Sequence, residues 1–288
     1  MTTTLPVSGT PWPELQRQLK EAGEGDVDWR RGRVPMFIHY AGDDVLDVAK
    51  QAYLMYFSEN GLGPRAFASL AKFEREVVEM GLGLLHGGPE ARGAMTTGGT
   101  ESIFLAVKCA RDRALARRPG MGRPQIVMPH SAHPAFDKAA YFLGLTPVRT
   151  PLAADFRADV AAMRAALPPG AAVVGGSGPA FPPRRGEPGA QACLRRQETS
   201  TWMHVDACVG GYFAPFARTL GADIPDFDFA VEGVTSISAD LHKYGYTAKG
   251  ASTLFFADPE SFALMGYYFD DWPRGQYFTH TLVGTRAG

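Results

Sequence analysis

The chain has 288 residues, of which 45% are hydrophobic and 20% charged, so it is long and apolar enough to bury one large core. Its net charge of −1 gives no electrostatic reason to expect nucleic acid or an anionic membrane as a partner. The sequence has no run of about 18 apolar residues and no signal-peptide pattern at its N-terminus, which predicts no membrane span. Cys109, Cys193 and Cys208 have no metal-binding spacing, and we expect them to be reduced in a cytoplasmic protein.

The first part of the chain is predicted to be mainly helical. Residues 1 to about 35 are rich in Pro, Gly and charge, which indicates a loose arm with one short helix around Trp12 to Ala22. Apolar residues at helical spacing predict a second helix from Asp43 to Phe57 and a long helix from Arg65 to His86. Gly87, Gly88 and Pro89 end the long helix.

Short apolar runs then alternate with helical stretches. Helices are predicted from the glycine turn near residue 98 to about Arg117, from Pro134 to Leu143 and from Asp155 to Leu167. The predicted strands are Ile126–Met128, Ala171–Val174, Trp202–Val205, Phe229–Val231, Ser236–Ser238 and Thr253–Phe256. This alternation predicts an α/β fold with a mostly parallel sheet that is covered on both faces. In such sheets, ligands bind beyond the carboxyl ends of the strands.

A glycine turn opens one of these helices, in the segment MTTGGTES (95–102). Gly98 and Gly99 let the backbone approach a ligand closely, and Thr100 is a good N-cap residue with a hydroxyl group. The free N–H groups and the positive end of the helix dipole predict an anion site that suits a phosphate. A glycine turn followed by a capped helix with no ligand remains the alternative interpretation.

Several polar side chains follow predicted strands. Asp206 comes directly after an apolar strand, and an acid is costly to bury there without a partner, so it is either salt-bridged or functional. His133 lies in a strand-to-helix turn, where it could stack on an aromatic ligand or simply cap the helix. His204 is interpreted as a packing or hydrogen-bonding residue within its strand.

Lys243 is the most informative residue, in the segment SISADLHKYGY (236–246). A lysine directly after His242, with Asp206 ending an upstream strand, indicates a site for pyridoxal phosphate. The lysine would bind the cofactor's aldehyde as a Schiff base, and the aspartate would keep the pyridine nitrogen protonated. Lys249 could contact an anionic group of a substrate, with simple solvation as the alternative.

The chain resembles the sphingosine-1-phosphate lyase branch of the pyridoxal-phosphate-dependent group II decarboxylases. The resemblance rests on five ordered segments that spread over roughly residues 40 to 288. They are MTTGGTESIFLAVKCARDRA (95–114), HPAFDKAAYFLGL (133–145), HVDACVGGYFAPF (204–216), ISADLHKYGYTAKGAS (237–252) and DWPRGQYFTHTLVGTRAG (271–288).

The resemblance implies a fold-type-I enzyme that works as a homodimer with shared active sites. Residues 1–57 are then an N-terminal arm with helices, and residues 58–288 are the cofactor-binding large domain. The motif positions imply a cofactor site and a substrate site, and the catalytic residues implied are Lys243, Asp206 and His133. Cofactor contacts are implied for Gly98, Gly99, Thr100, Ser238 and His242, and substrate contacts for Lys249 and Tyr246. Gly284 is implied in a loop that reaches the neighbouring subunit.

The resemblance implies cleavage of a phosphorylated amino alcohol, such as sphingosine 1-phosphate, to an aldehyde and phosphoethanolamine. An amino-acid decarboxylase is the alternative, because the same cofactor serves both reactions. Arg286 could serve either substrate. The chain stops at Gly288, where relatives continue into a small C-terminal domain, and residues 183–201 have weak apolar periodicity. An inactive, truncated homologue that acts as a scaffold is therefore a third alternative.

Overall fold

The computed structural model describes residues 6–32, 38–61, 66–167, 173–177, 201–273 and 275–283. The chain divides into two compact units, Met1–Tyr40 and Ala41–Gly288. In the first unit, helix α1 (Trp12–Ala22) forms where it was predicted, and Arg17 pairs with Glu14 and Glu21 along its surface. The predicted division between residues 57 and 58 remains a prediction.

The second unit contains the remaining α-helices and the sheet. Its helices are α2 (Asp43–Met55), α3 (Ala68–Leu84), α4 (Gly99–Arg117), α5 (Ala135–Leu143), α6 (Val160–Ala166), α7 (Ala214–Thr219) and α8 (Pro259–Ala263). Its main strands are β1 (Arg92–Thr96), β2 (Gln125–Pro129), β3 (Thr146–Thr150), β4 (Val173–Ser177), β5 (Trp202–Asp206), β6 (Val234–Ala239) and β7 (Ser252–Phe256). A separate hairpin pairs β8 (Tyr267–Phe269) with β9 (Tyr277–Thr279).

The seven main strands form one sheet in the order β1-β7-β6-β5-β4-β2-β3. The five strands from β6 to β3 in this order pair in parallel. Strand β7 is antiparallel to both β6 and β1, so β1 runs in the same direction as the parallel strands. The carboxyl ends of β1, β2, β5 and β6 therefore reach the same edge of the sheet, which confirms the predicted mostly parallel α/β architecture.

Hydrophobic side chains cover both faces of this sheet, as predicted. One core joins α4 and α5 to the sheet through Ile103, Phe136 and Trp202. The other core, on the opposite face, includes Met203, Phe227 and Phe255. Neighbouring residues Trp202 and Met203 belong to different cores because side chains alternate between the faces of a strand.

Two predicted elements differ from the structure. The predicted strand Phe229–Val231 is wrong because Asp228 forms a turn there, accepting the backbone N–H of Ala230 at its Oδ1 and that of Val231 at its carbonyl. The helix predicted from Asp155 begins only at Val160, where the Asp159 side chain caps it by accepting the N–H of Ala162. Residues 171–172 of the predicted strand 171–174 and the 183–201 segment up to residue 200 lie outside the described residues.

Candidate active site

A cavity of about 560 Å³ opens at the edge of the sheet where the four carboxyl ends meet. The turns that follow β1, β2, β5 and β6 all contribute to its wall. Of the residues predicted for a site, those that line it are Gly98, Gly99, Thr100, His133, Asp206, His242 and Lys243. The structure thus brings together most of the predicted residues, although they lie far apart in the sequence.

The turn after β1 forms one side of the cavity. Helix α4 begins at Gly99, and its N-cap is Gly98, so the prediction that Thr100 caps the helix is wrong. Glu101 in the first turn instead stabilises the segment before the helix, because its Oε2 accepts the backbone N–H of Thr97 at 2.6 Å. Thr100 is thereby left exposed at the cavity wall, inside the first turn of the helix. The first N–H groups of a helix have no partner within it, and here they face an open cavity.

Close packing of the start of α4 against neighbouring segments requires a glycine at position 99. A Cβ atom on Gly99 would lie 2.6 Å from the Sγ of Cys208 and 2.9 Å from the Oδ2 of Asp240. Both distances are shorter than non-bonded atoms tolerate, so no larger residue fits without movement. The start of α4 therefore lies directly against the segments that follow β5 and β6.

The turn after β2 carries His133, which is exposed and lines the cavity. Its Nδ1 accepts the backbone N–H of Ala135 at 3.1 Å, so this histidine also caps the start of α5. Because Nδ1 accepts a hydrogen bond, the neutral ring carries its proton on Nε2. Both interpretations left open by the sequence, a ring at the ligand site and a capping histidine, are thus compatible with its position.

Arg149, on β3, stabilises this turn through hydrogen bonds to its backbone. Its guanidinium donates to the backbone carbonyls of Pro129, His130 and Ala132 at 2.9 to 3.3 Å and forms an ion pair with Asp137. A planar guanidinium can satisfy several acceptors at fixed angles, which a lysine cannot do. Arg149 therefore fixes the loop that carries His133, although it does not line the cavity.

Asp206 is the last residue of β5 and lines the cavity. Its Oδ1 accepts the backbone N–H of Cys208 at 3.1 Å and the hydroxyl of Ser238 at 3.4 Å. Ser238 is itself fully buried and contacts Nε2 of His204 at 3.2 Å. His204 is fully buried between Ser236 and Ser238, and burial lowers its pKa to about 4, so it supports Asp206 as a neutral ring. This confirms the prediction that His204 is a hydrogen-bonding residue.

Lys243 follows β6 and is largely buried at the cavity wall. Its Nζ lies 3.0 Å from Oδ2 of Asp240, a carboxylate that is only 2% exposed. Burial opposes a positive charge here, but the pKa of Lys243 is nevertheless raised because Asp240 and, more weakly, Asp206 stabilise the ammonium form. The amine of Lys243 is thus held at a defined point of the cavity.

His242 lines the cavity beside this lysine, close to the glycine turn. Its Cε1 would lie 3.7 Å from a Cβ on Gly98. Burial lowers the pKa of His242, and the positive charges of Lys249 and Lys243 lower it further, against the opposing effect of Asp240. Within the part of the chain that the structure describes, the buried Nδ1 of His242 has no hydrogen-bond partner.

Three predicted site residues do not line the cavity. Ser238 lies behind Asp206, as described above. Lys249 is exposed and donates to the carbonyl of His242 at 3.0 Å, while Tyr246 packs edge-on against Tyr244 at 6.2 Å between ring centroids. Gly284 and Arg286 fall outside the described residues. The cofactor role of Ser238 and the substrate roles of Lys249 and Tyr246 remain predictions.

The sequence reasoning missed Asp240, Glu101 and Arg149. Asp240 stands inside the segment that drew attention to Lys243, and its position three residues before a lysine could have marked it as an ion-pair partner. Glu101 stands three residues after the glycine cap, which is the position of the acid in a capping box. Arg149 gives no local signal, since its contacts cross from β3 to the loop after β2.

The features of this cavity fit pyridoxal phosphate. The start of α4 offers N–H groups that have no partner within the helix, in a turn where Gly99 admits no side chain. Near this turn lies the Nδ1 of His242, which has no hydrogen-bond partner among the described residues. Lys243 supplies an amine for the aldehyde, and Asp206 supplies a carboxylate for a protonated ring nitrogen. These are the donor and acceptor groups that the ligand requires.

Comparisons with known proteins agree with this site. Residues 190–265 match the model of the pyridoxal-dependent decarboxylase conserved domain. The chain is 37% identical over 286 residues to sphingosine-1-phosphate lyase 1 of Mus musculus, covering 99% of this chain and 50% of that protein. It is 34% identical to a probable L-tyrosine/L-aspartate decarboxylase of Methanothermobacter thermautotrophicus, covering 84% of this chain and 64% of that one.

Solved structures show the same relationship. A sphingosine-1-phosphate lyase of Burkholderia pseudomallei superposes with a TM-score of 0.90 at 33% identity, covering 100% of this chain and 68% of that one. A glutamate decarboxylase of Lactobacillus brevis shares the fold, with a TM-score of 0.81 at 18% identity, covering 100% of this chain and 67% of that one.

The fold and the cavity together define the class of fold-type-I pyridoxal-phosphate proteins. Within that class, the chain belongs to the pyridoxal-dependent decarboxylase family, in its sphingosine-1-phosphate lyase branch. The predicted family, fold class and cofactor are confirmed. The chain spans about half the length of the mouse lyase that it matches. Among the described residues, no helix has the length and apolar character that crossing a bilayer requires.

Proposed function

We propose that the protein is a carbon–carbon lyase that cleaves a phosphorylated amino alcohol, such as sphingosine 1-phosphate, to an aldehyde and phosphoethanolamine. The observation that carries this proposal is the convergence of Lys243, Asp206, His133 and the start of α4 on one cavity. The 37% identity to a sphingosine-1-phosphate lyase supports the choice of reaction.

Pyridoxal phosphate, when bound, supplies an electron sink for a bond broken next to the substrate's amine-bearing carbon. Lys243 would hold its aldehyde covalently through the side-chain amine. To do so, the amine must first lose its proton, because only the neutral form has the free electron pair. The ion pair with Asp240 keeps the amine positioned until that happens.

The phosphate would be held at the start of α4. The backbone N–H groups around Gly98, Gly99 and Thr100 supply donors, and the helix dipole favours a negative charge at this end. His242 supports the same assignment through its unpartnered Nδ1 near this turn.

The ring would be held between Asp206 and His133. Asp206 would keep a proton on the ring nitrogen, which increases the capacity of the ring to accept electrons. Its carboxylate is already oriented by the N–H of Cys208 and the hydroxyl of Ser238, so little rearrangement is needed. His133 would stack on the ring face from the turn that Arg149 fixes.

Lys249 supports a phosphorylated substrate. Although the Lys249 side chain is exposed, partial desolvation lowers its pKa, and the positive charge of Lys243 lowers it further. An anionic substrate group would relieve this repulsion. Tyr246 adopts a positive φ of 56° in the same loop, a backbone conformation that is costly for a tyrosine, and we propose that it contacts the substrate.

A homodimer with shared active sites and a cytoplasmic location are further parts of this proposal. Exposed aromatic side chains on the β8–β9 hairpin, including Tyr267, Tyr268 and Phe278, support a partner surface. The location rests on the composition and on the absence of disulfide spacing in the sequence.

A substrate comparison tests the proposed reaction. The protein is incubated with pyridoxal phosphate and either a phosphorylated long-chain amino alcohol or an amino acid such as tyrosine, aspartate or glutamate. We expect a long-chain aldehyde, detected by mass spectrometry, and no carbon dioxide from the amino acids. Lys243→Arg, which keeps the positive charge beside Asp240, serves as the inactive control.

Release of carbon dioxide instead of aldehyde would favour the decarboxylase, which the 34% identity to a probable amino-acid decarboxylase keeps as the second candidate. If neither product forms from protein that has bound the cofactor, the chain is an inactive homologue under these conditions, and the proposed function is wrong.

A further inference from the structure

Asp240 is the most deeply buried carboxylate at the cavity wall, with only 2% of its side chain exposed. It directly follows β6, and the start of α4 packs against it at Gly99. A buried carboxylate is costly unless its oxygens are paired, so its partners indicate why the acid is there.

Both oxygens of Asp240 are committed to different partners. Oδ1 accepts the hydroxyl of Ser252 at 2.5 Å, and Oδ2 lies 3.0 Å from Nζ of Lys243. The ring of His242 lies farther away, with Nε2 at 3.6 Å from the same Oδ2. Ser252, on the neighbouring strand β7, therefore orients the carboxylate, and the carboxylate in turn fixes the amine.

We infer that Asp240 is the counter-ion of the free Lys243 amine, and that it sets the pH at which this amine becomes a nucleophile. Asp240 acts through Lys243 and is therefore a positioning residue. The inference rests on the proposed role of Lys243 in cofactor binding, since a lysine with no partner to attack would need no such control.

The surrounding charges leave Asp240 as the main stabilising group. Burial lowers the pKa of Lys243, whereas Asp240 raises it most strongly, followed by the Cys208 side chain and then by Asp206. Burial raises the pKa of the Cys208 thiol well above its ordinary value, so at neutral pH this thiol adds no charge. Among the described residues, the other titratable groups that line this cavity are Glu101, His133 and His242. Outside the cavity wall, Lys249 and Tyr212 also interact with the charge of Asp240.

Removal of the Asp240 charge should therefore make the amine more reactive. In Asp240→Asn the largest remaining influence on Lys243 is burial, which lowers its pKa and increases the neutral fraction at a given pH. Asparagine has nearly the same size and shape as aspartate, so the substitution leaves the volume of the cavity unchanged.

Competitive labelling with acetic anhydride measures this directly, because only a neutral amine forms the amide, with release of acetate. The full chain, freed of cofactor with hydroxylamine, is labelled at pH 8, and each lysine is quantified by peptide mass spectrometry. We expect Lys243 to label at least about tenfold faster in Asp240→Asn than in the unchanged protein, because loss of an adjacent charge shifts a pKa by one unit or more. A rate within twofold of the unchanged protein would overturn the inference.

Asp206→Asn is the matched control, since it removes a carboxylate of the same cavity that does not contact Nζ. It should increase the labelling of Lys243 less than Asp240→Asn does. An equal or larger increase would mean that the general charge of the cavity, and not Asp240, controls the amine.

A second measurement needs no variant. In the unchanged protein, the labelling of Lys243 should reach its midpoint at a higher pH than that of Lys249, because the two pKa values shift in opposite directions. The reverse order would overturn the inference even if Asp240→Asn failed to fold. Since the labelled protein carries no cofactor, these results are independent of the proposed function. A protein that never binds pyridoxal phosphate could still show faster labelling of Lys243 in Asp240→Asn.

Discussion

The ends of the neighbouring strands β5 and β6 present two aspartates with opposite surroundings. Asp240, after β6, is buried and engages a lysine and a serine. Asp206, at the end of β5, is half-buried and accepts a backbone N–H and the Ser238 hydroxyl. Among the described residues, no cation lies within 4.0 Å of Asp206.

This difference separates two uses of the same side chain. The charge of Asp240 is compensated inside the protein, so it can position Lys243 but has little capacity for an external ligand. Hydrogen bonds orient the Asp206 carboxylate, and among the described residues it has no counter-ion within 4.0 Å, so it can accept a cationic group from a bound molecule. The ring nitrogen of the proposed cofactor is such a group.

Substitution of each aspartate by asparagine removes one charge at a time, and we expect it to give the largest difference in kcat between the two sites. With saturating pyridoxal phosphate and substrate, Asp206→Asn should lower kcat by roughly a thousandfold, because the ring then no longer keeps its proton. Asp240→Asn should lower kcat by at most about tenfold, because the lysine is still present and the lost group compensates only the free amine. Steady-state kinetics of aldehyde release provides the measurement.

Similar losses in the two variants would contradict the division of roles. A larger loss in Asp240→Asn than in Asp206→Asn would reverse it and would make Asp240 part of the chemical step. Circular dichroism of both variants controls for unfolding.

The close packing between the start of α4 and these two strand ends predicts a smaller effect. Gly99→Ala places a methyl group 2.6 Å from the sulfur of Cys208 and should destabilise the protein by about 1–3 kcal/mol, as overpacking does. It should also weaken pyridoxal phosphate binding, because the helix start must move away from the cavity. Urea unfolding and cofactor titration measure the two effects.

Gly83→Ala is the matched control, since Gly83 lies in helix α3 with open space around it. An added methyl group should stabilise that helix by about 0.5–1 kcal/mol. If both substitutions had the same effect on unfolding and on cofactor binding, the packing at Gly99 would not be special.

Much of the fold could be predicted from local sequence signals. Apolar spacing identified α2 and α3, and the Pro134 and Gly144 signals bounded α5. The residues Gly98, Gly99, His133, Asp206 and Lys243 also met in one cavity as expected, because parallel strands bring their carboxyl ends to one edge.

The remaining features depend on contacts between distant segments. Phe229 and Val231 have the composition of a strand, but the turn at Asp228 and the burial of Phe227 determine their structure. Arg149 fixes the His133 turn through carbonyls about 20 residues away, which no local pattern reveals. Thr100 lies inside the first turn and not at the N-cap because the helix starts at Gly99, and helix boundaries are the least certain part of any sequence-based prediction.

The identity of the lysine that binds the cofactor tests the central claim most directly. The protein is incubated with pyridoxal phosphate, reduced with borohydride, digested and mapped by mass spectrometry, in parallel with Lys243→Arg. We expect a pyridoxyl group on Lys243 of the unchanged protein and none at this position in the variant. A pyridoxyl group on another lysine, or one of equal abundance in the variant, would show that the cavity at the ends of β5 and β6 is not the cofactor site.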